Sequence, residues 1–152
     1  MSHRALTVFD AAAQAIEQHV STQAHVYRHR ALTLQARETE LPAIVVMMGA
    51  DEYAPDQRKA VYADYWPSRL TLEFIAQCVA RNERDVLQEV LRLRTAVHVA
   101  LMQDDTLGLA YVKMLLYDGA AAPEITIDND RFVGRQISRW IVLYDLGLSN
   151  PA

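Results

Sequence analysis

Residues 82–117 read NERDVLQEVLRLRTAVHVALMQDDTLGLAYVKMLLY, and the fold class turns on them. Asn82 suits a helix N-cap, because its side chain can accept from the orphan N–H groups of a first turn, while Glu83 and Asp85 suit the positive end of the helix dipole. Val86, Val90, Leu93, Val97 and Leu101 then recur at spacings of three and four, the apolar stripe of an amphipathic helix. The helix ends at Met102-Gln103-Asp104-Asp105-Thr106-Leu107-Gly108, an acidic turn closed by glycine, and Leu109 to Tyr117 reads as an apolar strand. A capped helix handing over directly to a strand predicts an α+β domain.

The sequence on either side supports the same class. Just upstream, Leu70, Leu72, Phe74, Ala76 and Cys78 alternate with Arg69, Thr71, Glu73 and Gln77, which predicts a strand over Arg69 to Val79 with one face on a core. Leu41-Pro42-Ala43-Ile44-Val45-Val46-Met47-Met48-Gly49 is a continuous apolar run and predicts a strand covered on both faces, with Pro42 at its start where no ladder donor is needed. Asp51 to Pro67, acidic at its beginning and aromatic at its end, has no sustained period and predicts a long loop. Leu6, Phe9, Ala13, Ile16 and Val20 mark the stripe of an N-terminal helix whose other face carries Asp10, Gln14, Glu17 and Gln18. Ser21 to Glu40 is polar and partly basic, and only Ala31 to Ala36 alternates enough to suggest a short strand.

Downstream, Asp118-Gly119 predicts a turn, Ala120 to Pro123 a loop, Glu124 to Asp128 a short strand, and Phe132 to Tyr144 a final strand. The order predicts an antiparallel or mixed sheet of about four to five strands with both helices packed on one face. No linker or internal repeat divides residues 1–152, so one domain is expected.

The composition is that of a folding chain, with 152 residues, 51% hydrophobic and 22% charged, away from the polar corner where chains stay disordered. A net charge of -4 and a pI near 5.7 provide no positive field, so neither a membrane surface nor sequence-specific nucleic acid is expected as a partner. Cys78 is the only cysteine, which leaves no disulfide framework and fits a reducing compartment. The start Met1-Ser2-His3-Arg4 lacks a signal-peptide core, and the run from Ala43 to Met48 is far shorter than the ~20 residues of a membrane span.

No catalytic, cofactor or metal motif emerges. His25 and His29 would share a face only in a helix that the segment does not support, His19 stands apart, and no familiar ligand spacing accompanies them. Asp128-Asn129-Asp130 begins like a calcium loop, but Phe132 occupies a ligand position and no glutamate closes it, so an Asx-rich turn is expected. Asp104 and Asp105 are adjacent at a helix end and do not converge as an acid and base would. Cys78 belongs to the alternating apolar face and reads as a small core residue. The five glycines form neither a nucleophile elbow nor a phosphate-cradling loop.

Tyr53, Tyr62, Tyr65 and Trp66 stand in a segment without a core period. Tyrosine and tryptophan are enriched at the buried centres of interfaces, so these residues are candidates for a binding surface or for a cover over the chain's own core.

An N-terminal amphipathic helix around Phe9 to Val20, the strand Leu41-Pro42-Ala43-Ile44-Val45-Val46 and the turn Gly49-Ala50-Asp51-Glu52 occur here in a definite order. Arg69-Leu70-Thr71-Leu72-Glu73-Phe74 follows, and then the long helix ending Ala100-Leu101-Met102-Gln103-Asp104-Asp105-Thr106-Leu107-Gly108. Taken together they resemble the tail terminator, or minor tail protein U, family of long-tailed bacteriophages. That resemblance implies an α+β subunit of a hexameric ring that caps a completed tail tube, stops its polymerisation and presents a surface to the head. It implies no catalytic residues and no cofactor.

The implied partners are further copies of the chain, the tail tube protein and a head-tail connector protein. DNA would pass through the ring, and the location would be the virion tail, assembled in the host cytoplasm. A ring needs different complementary surfaces on each subunit. The candidates are Asp51, Glu52, Tyr53, Asp56, Tyr62, Tyr65 and Trp66 on the loop and Arg131, Arg135 and Arg139 at a sheet edge, of opposite charge. Alternatives are a related head-tail connector or tail-completion subunit and, from another class, a small cytoplasmic enzyme.

Overall fold

The computed structural model describes residues 3–20, 23–28, 41–53 and 65–147. Its elements are α1 (Arg4–Val20), β1 (His25–Arg28), β2 (Ala43–Tyr53), β3 (Tyr65–Ala80), α2 (Glu83–Leu101), β4 (Val112–Ala120), β5 (Glu124–Asp128) and β6 (Arg131–Gly147). The strands form one six-stranded sheet in the order β1-β2-β3-β6-β4, with β5 also paired to β6. Only β1 and β2 run parallel to each other, while every other pairing is antiparallel. This is the α+β, mixed-sheet architecture expected from the sequence.

Both helices pack on one face, where alternation of the long strands supplies the core. Leu70, Leu72, Phe74, Ala76 and Cys78 of β3 and Trp140, Val142 and Tyr144 of β6 meet Phe9 and Ile16 of α1 and Val86, Val90, Leu93 and Val97 of α2 in one buried cluster. Burying each large apolar side chain contributes roughly 1.5–3 kcal/mol, so this layer dominates the fold's stability. Asn82 caps α2 as expected, accepting from the Asp85 backbone N–H at 2.8 Å. The first turn of α1 is held differently, with Ala5 N–H donating to His3 Nδ1 at 3.1 Å.

The opposite face carries a smaller buried cluster of Leu41, Ala43, Val45 and Ile75, with Tyr27, Met47, Val79 and Ile137 packed against it. The run from Leu41 is therefore apolar throughout because β2 sits between two clusters, as its lack of alternation implied.

Several boundaries differ from the sequence reading. The sheet has six strands because β1, too short to show a period, pairs along β2 through His25 to Arg28. The strand suggested at Ala31 to Ala36 lies outside the described residues. Asp51, Glu52 and Tyr53 continue β2, and Tyr65, Trp66 and Pro67 begin β3, rather than belonging to a loop. Ladder pairing with Arg69, Ser68 and β6 extends both strands past the point where side-chain alternation is lost. β4 starts at Val112, because Leu109 N–H closes a turn onto Thr106 and Val112 N–H another onto Leu109. The Asp118-Gly119 turn is instead a bulge inside β4, with Gly119 at φ +92° and a register shift between Tyr117 and Ala120.

Candidate assembly surfaces

The acidic segment is positioned by a β-bulge. The β2–β3 register slips between Met48 and Asp51, and an extra residue in one strand reverses which side chains face which side. Asp51, paired with Leu70 in the ladder, consequently projects to the helix side. There the hydroxyl of buried Tyr144 donates to both of its carboxylate oxygens, at 2.9 and 3.0 Å. Burial first, and the Asp51 hydrogen bond second, push the Tyr144 phenol above its ordinary range. Glu52 is exposed and lies opposite Arg69 of β3. Tyr53 ends β2 opposite Ser68, and Tyr65 and Trp66 open β3 opposite Gly147 and Leu146. Asp56 and Tyr62 lie outside the described residues.

Arg131, Arg135 and Arg139 all belong to β6, at every fourth position, and so share its helix-free face. Each has a carboxylate nearby in the same subunit. Arg131 meets Asp128 at 3.4 Å and Arg139 meets Glu73 at 3.5 Å. Arg135 stands opposite Glu124 in the ladder, and its Nε is buried without a hydrogen-bond partner. Asp51 is thus on the opposite face of the sheet from these arginines within one subunit. For Arg131 and Arg139, pairing across copies would compete with ion pairs already in place, and exposed ion pairs of this kind contribute only ~0–1 kcal/mol each.

Other polar groups singled out by the sequence are occupied in the fold. Asp104 accepts from the Thr106 N–H at 2.9 Å and the Thr106 hydroxyl at 2.8 Å, which holds its carboxyl below the usual range and makes it the organiser of the helix stop. Leu107 and Gly108 complete that turn at φ 54° and 71°. Cys78 is buried, its Sγ donates to the Val86 carbonyl at 3.4 Å, and desolvation pushes its thiol up to about 12. That is a core thiol rather than a nucleophile. His25 opens β1 and stacks against Tyr27, whereas His29 lies outside the described residues. Asn129 and Asp130 take left-handed conformations in the hairpin between β5 and β6. Among the described residues no group of His, Cys, Asp and Glu is arranged to hold a metal ion.

A shallow groove of about 360 Å³ lies between α1 and the end of α2, lined by Ala11, Ala15, Gln18, His19, Ala100, Gln103, Asp104 and Leu107. Ala11, Ala15 and Ala100 line it beside Gln18, His19, Gln103 and Asp104. More notable is the outer flank of α2, which sequence reading passed over. Leu87, Leu91, Val99 and Met102 are exposed there, as are Met114, Leu116 and Tyr117 on β4 and Ile127 on β5. Their signal in the sequence was the pair Leu87 and Leu91 standing outside the buried stripe of an otherwise amphipathic helix.

No protein-family model and no curated protein matches the chain. Among solved structures, the fold is similar to a chain of the virion of a native gene transfer agent particle. The TM-score is 0.54 at 14% identity, covering 91% of this chain and 94% of that one. At that identity the likeness is one of fold.

Proposed function

We propose that the chain is a virion structural protein: a subunit of a ring, hexameric as in the tail terminators its sequence resembles, that caps the tail tube, stops its growth and offers the head-joining surface. The observation that carries this reading is the fold likeness to a virion chain, which extends over nearly the whole of both molecules. The order of sequence segments shared with tail terminators points the same way independently. The exposed apolar side chains on α2 and β4 suit a subunit that is covered on assembly. In this reading the partners are further copies, the tail tube protein and a head-tail connector protein. DNA passes through the lumen, and the protein resides in the tail after assembly in the host cytoplasm. No catalytic step is assigned to it.

Deleting the gene from cells that produce the particles tests the proposal. The expected result is heads separated from tails and tails of uncontrolled length, restored to joined particles by supplying the intact chain. Normal, joined particles in the deletion would overturn it.

A further inference from the structure

The helices cover the sheet unevenly. α1 packs over β1 and β2, and α2 over β3 and β6, while β4 is covered only in part, its Val112 and Leu115 buried in the shared cluster. On that end the helix-side residue Tyr117 remains 43% exposed, and Ile127 of β5 72%. α2 borders this end with Leu87, Leu91 and Met102, all exposed and spaced at helical intervals along one flank. His98 of the same flank meets Tyr117 edge-on at 5.3 Å between ring centroids.

Among the described residues β4 pairs with β6 alone, so its outer edge presents unpaired backbone groups. Natural edge strands are guarded by proline, by charge, by bulges or by a covering element. β4 contains no proline; its register slips between Val112 and Met114 and between Tyr117 and Ala120, Asp118 is exposed, Lys113 is turned onto Asp145 at 3.4 Å, and between the slips Met114 and Leu116 are exposed on its other face.

The opposite end of the sheet is arranged differently. Among the described residues β1 pairs only with β2, and α1 lies over it with a flank of Leu6, Asp10, Gln14 and Glu17 turned outward. Asp10 and Glu17 share the single guanidinium of Arg28, at 3.2 and 2.9 Å, which leaves the flank with net negative charge. Facing outward from α2 on the other end are Arg84 and Arg94, which make no ion pair among the described residues. One end therefore offers a strand edge with an acidic helix flank above it, and the other a strand edge beside an apolar α2 flank that carries Arg84 and Arg94.

We infer that a second copy of this chain packs against that edge: the α1/β1 end of one copy seats against the α2/β4 end of the next, with α1 of the newcomer lying beside α2. The contact is heterologous, since joining two α2/β4 ends would set Arg84 and Arg94 against their own copies. Repeated around an axis, such a contact closes a ring. The inference rests on the ring reading above and supplies the subunit contact for it.

Two surface variants of the full chain test it. Leu91→Glu with Met102→Glu places acid where the acidic α1 flank would dock, and Leu6→Arg places base where the α2 flank would dock. Circular dichroism and thermal melting confirm that each is folded, and light scattering gives the mass. The expected result is that the intact chain forms closed multimers, that each variant alone stays at 17.2 kDa, and that an equimolar mixture yields a species of two chains. In that mixture each variant contributes its one intact end. A variant that still forms the full ring overturns the contact and leaves the ring reading standing. A variant that dimerises alone, or a mixture that stays monomeric, overturns the head-to-tail arrangement. An intact chain that never associates overturns both the contact and self-assembly in solution, and the gene deletion then judges the virion role separately.

Discussion

Gly134 of β6 shows how a single residue sets the distance between helix and sheet. A Cβ there would lie 2.9 Å from Cγ2 of Val90 and 3.0 Å from Cγ2 of Val86, and β-branched side chains in a helix have almost no alternative rotamer. Gly134→Ala is therefore expected to destabilise the protein by about 1–3 kcal/mol, read as a lower denaturant midpoint. An unchanged midpoint would contradict the close packing of α2.

Cys78 gives a pH-dependent test. Its folded pKa is raised from 9.0 to about 12 by burial, so the thiol contributes stability in full below pH 9, and that share is lost as pH rises toward 12. The raised pKa of Tyr144 acts with the same sign. Stability should therefore fall on the alkaline side, and Cys78→Ala should flatten the fall between pH 9 and 12 in denaturation series. Identical slopes would contradict the assignment. The burial of Cys78 was legible from its place in an alternating strand. The role of Gly134 was not, because a glycine in a strand does not disclose what crosses above it.

At the scale of elements, α2 and β3 were readable because each combines a long period with a clear boundary. The Asn82 cap can be tested directly: Asn82→Ala removes the acceptor for Asp85 N–H and is expected to cost about 0.5–2 kcal/mol in thermal or chemical unfolding, whereas a cost near zero would remove the cap from the account. β1 escaped sequence reading because four residues cannot establish a period, and its pairing depends on a partner fifteen or more residues away. The bulge in β2 was equally hidden. Sequence reading placed Asp51 and Glu52 in a turn, while the register slip aims one at Tyr144 and leaves the other beside Arg69. Of the candidate surface residues, the arginines expected at a sheet edge lie on β6, which is flanked by β3 on one side and by β4 and β5 on the other. The own-subunit ion partners of Arg131 and Arg139, Asp128 and Glu73, come from neighbouring strands whose register no single sequence displays.

For the whole molecule, the fold class followed from the sequence, and the uneven cover of the sheet did not, since it depends on which strands each helix crosses. That asymmetry gives the chain two unlike ends, the requirement for closing a ring from identical subunits. The contact joins apolar side chains with charges of opposite sign, so added salt should weaken association without abolishing it, as a concentration series at low and high ionic strength would register. The native mass of the intact chain by light scattering across a concentration series, with negative-stain images of the same samples, separates a ring-forming subunit from a monomer. Annular particles of about six chains of 17.2 kDa are expected, growing in as concentration rises. A compact monomer at every concentration would contradict the ring reading.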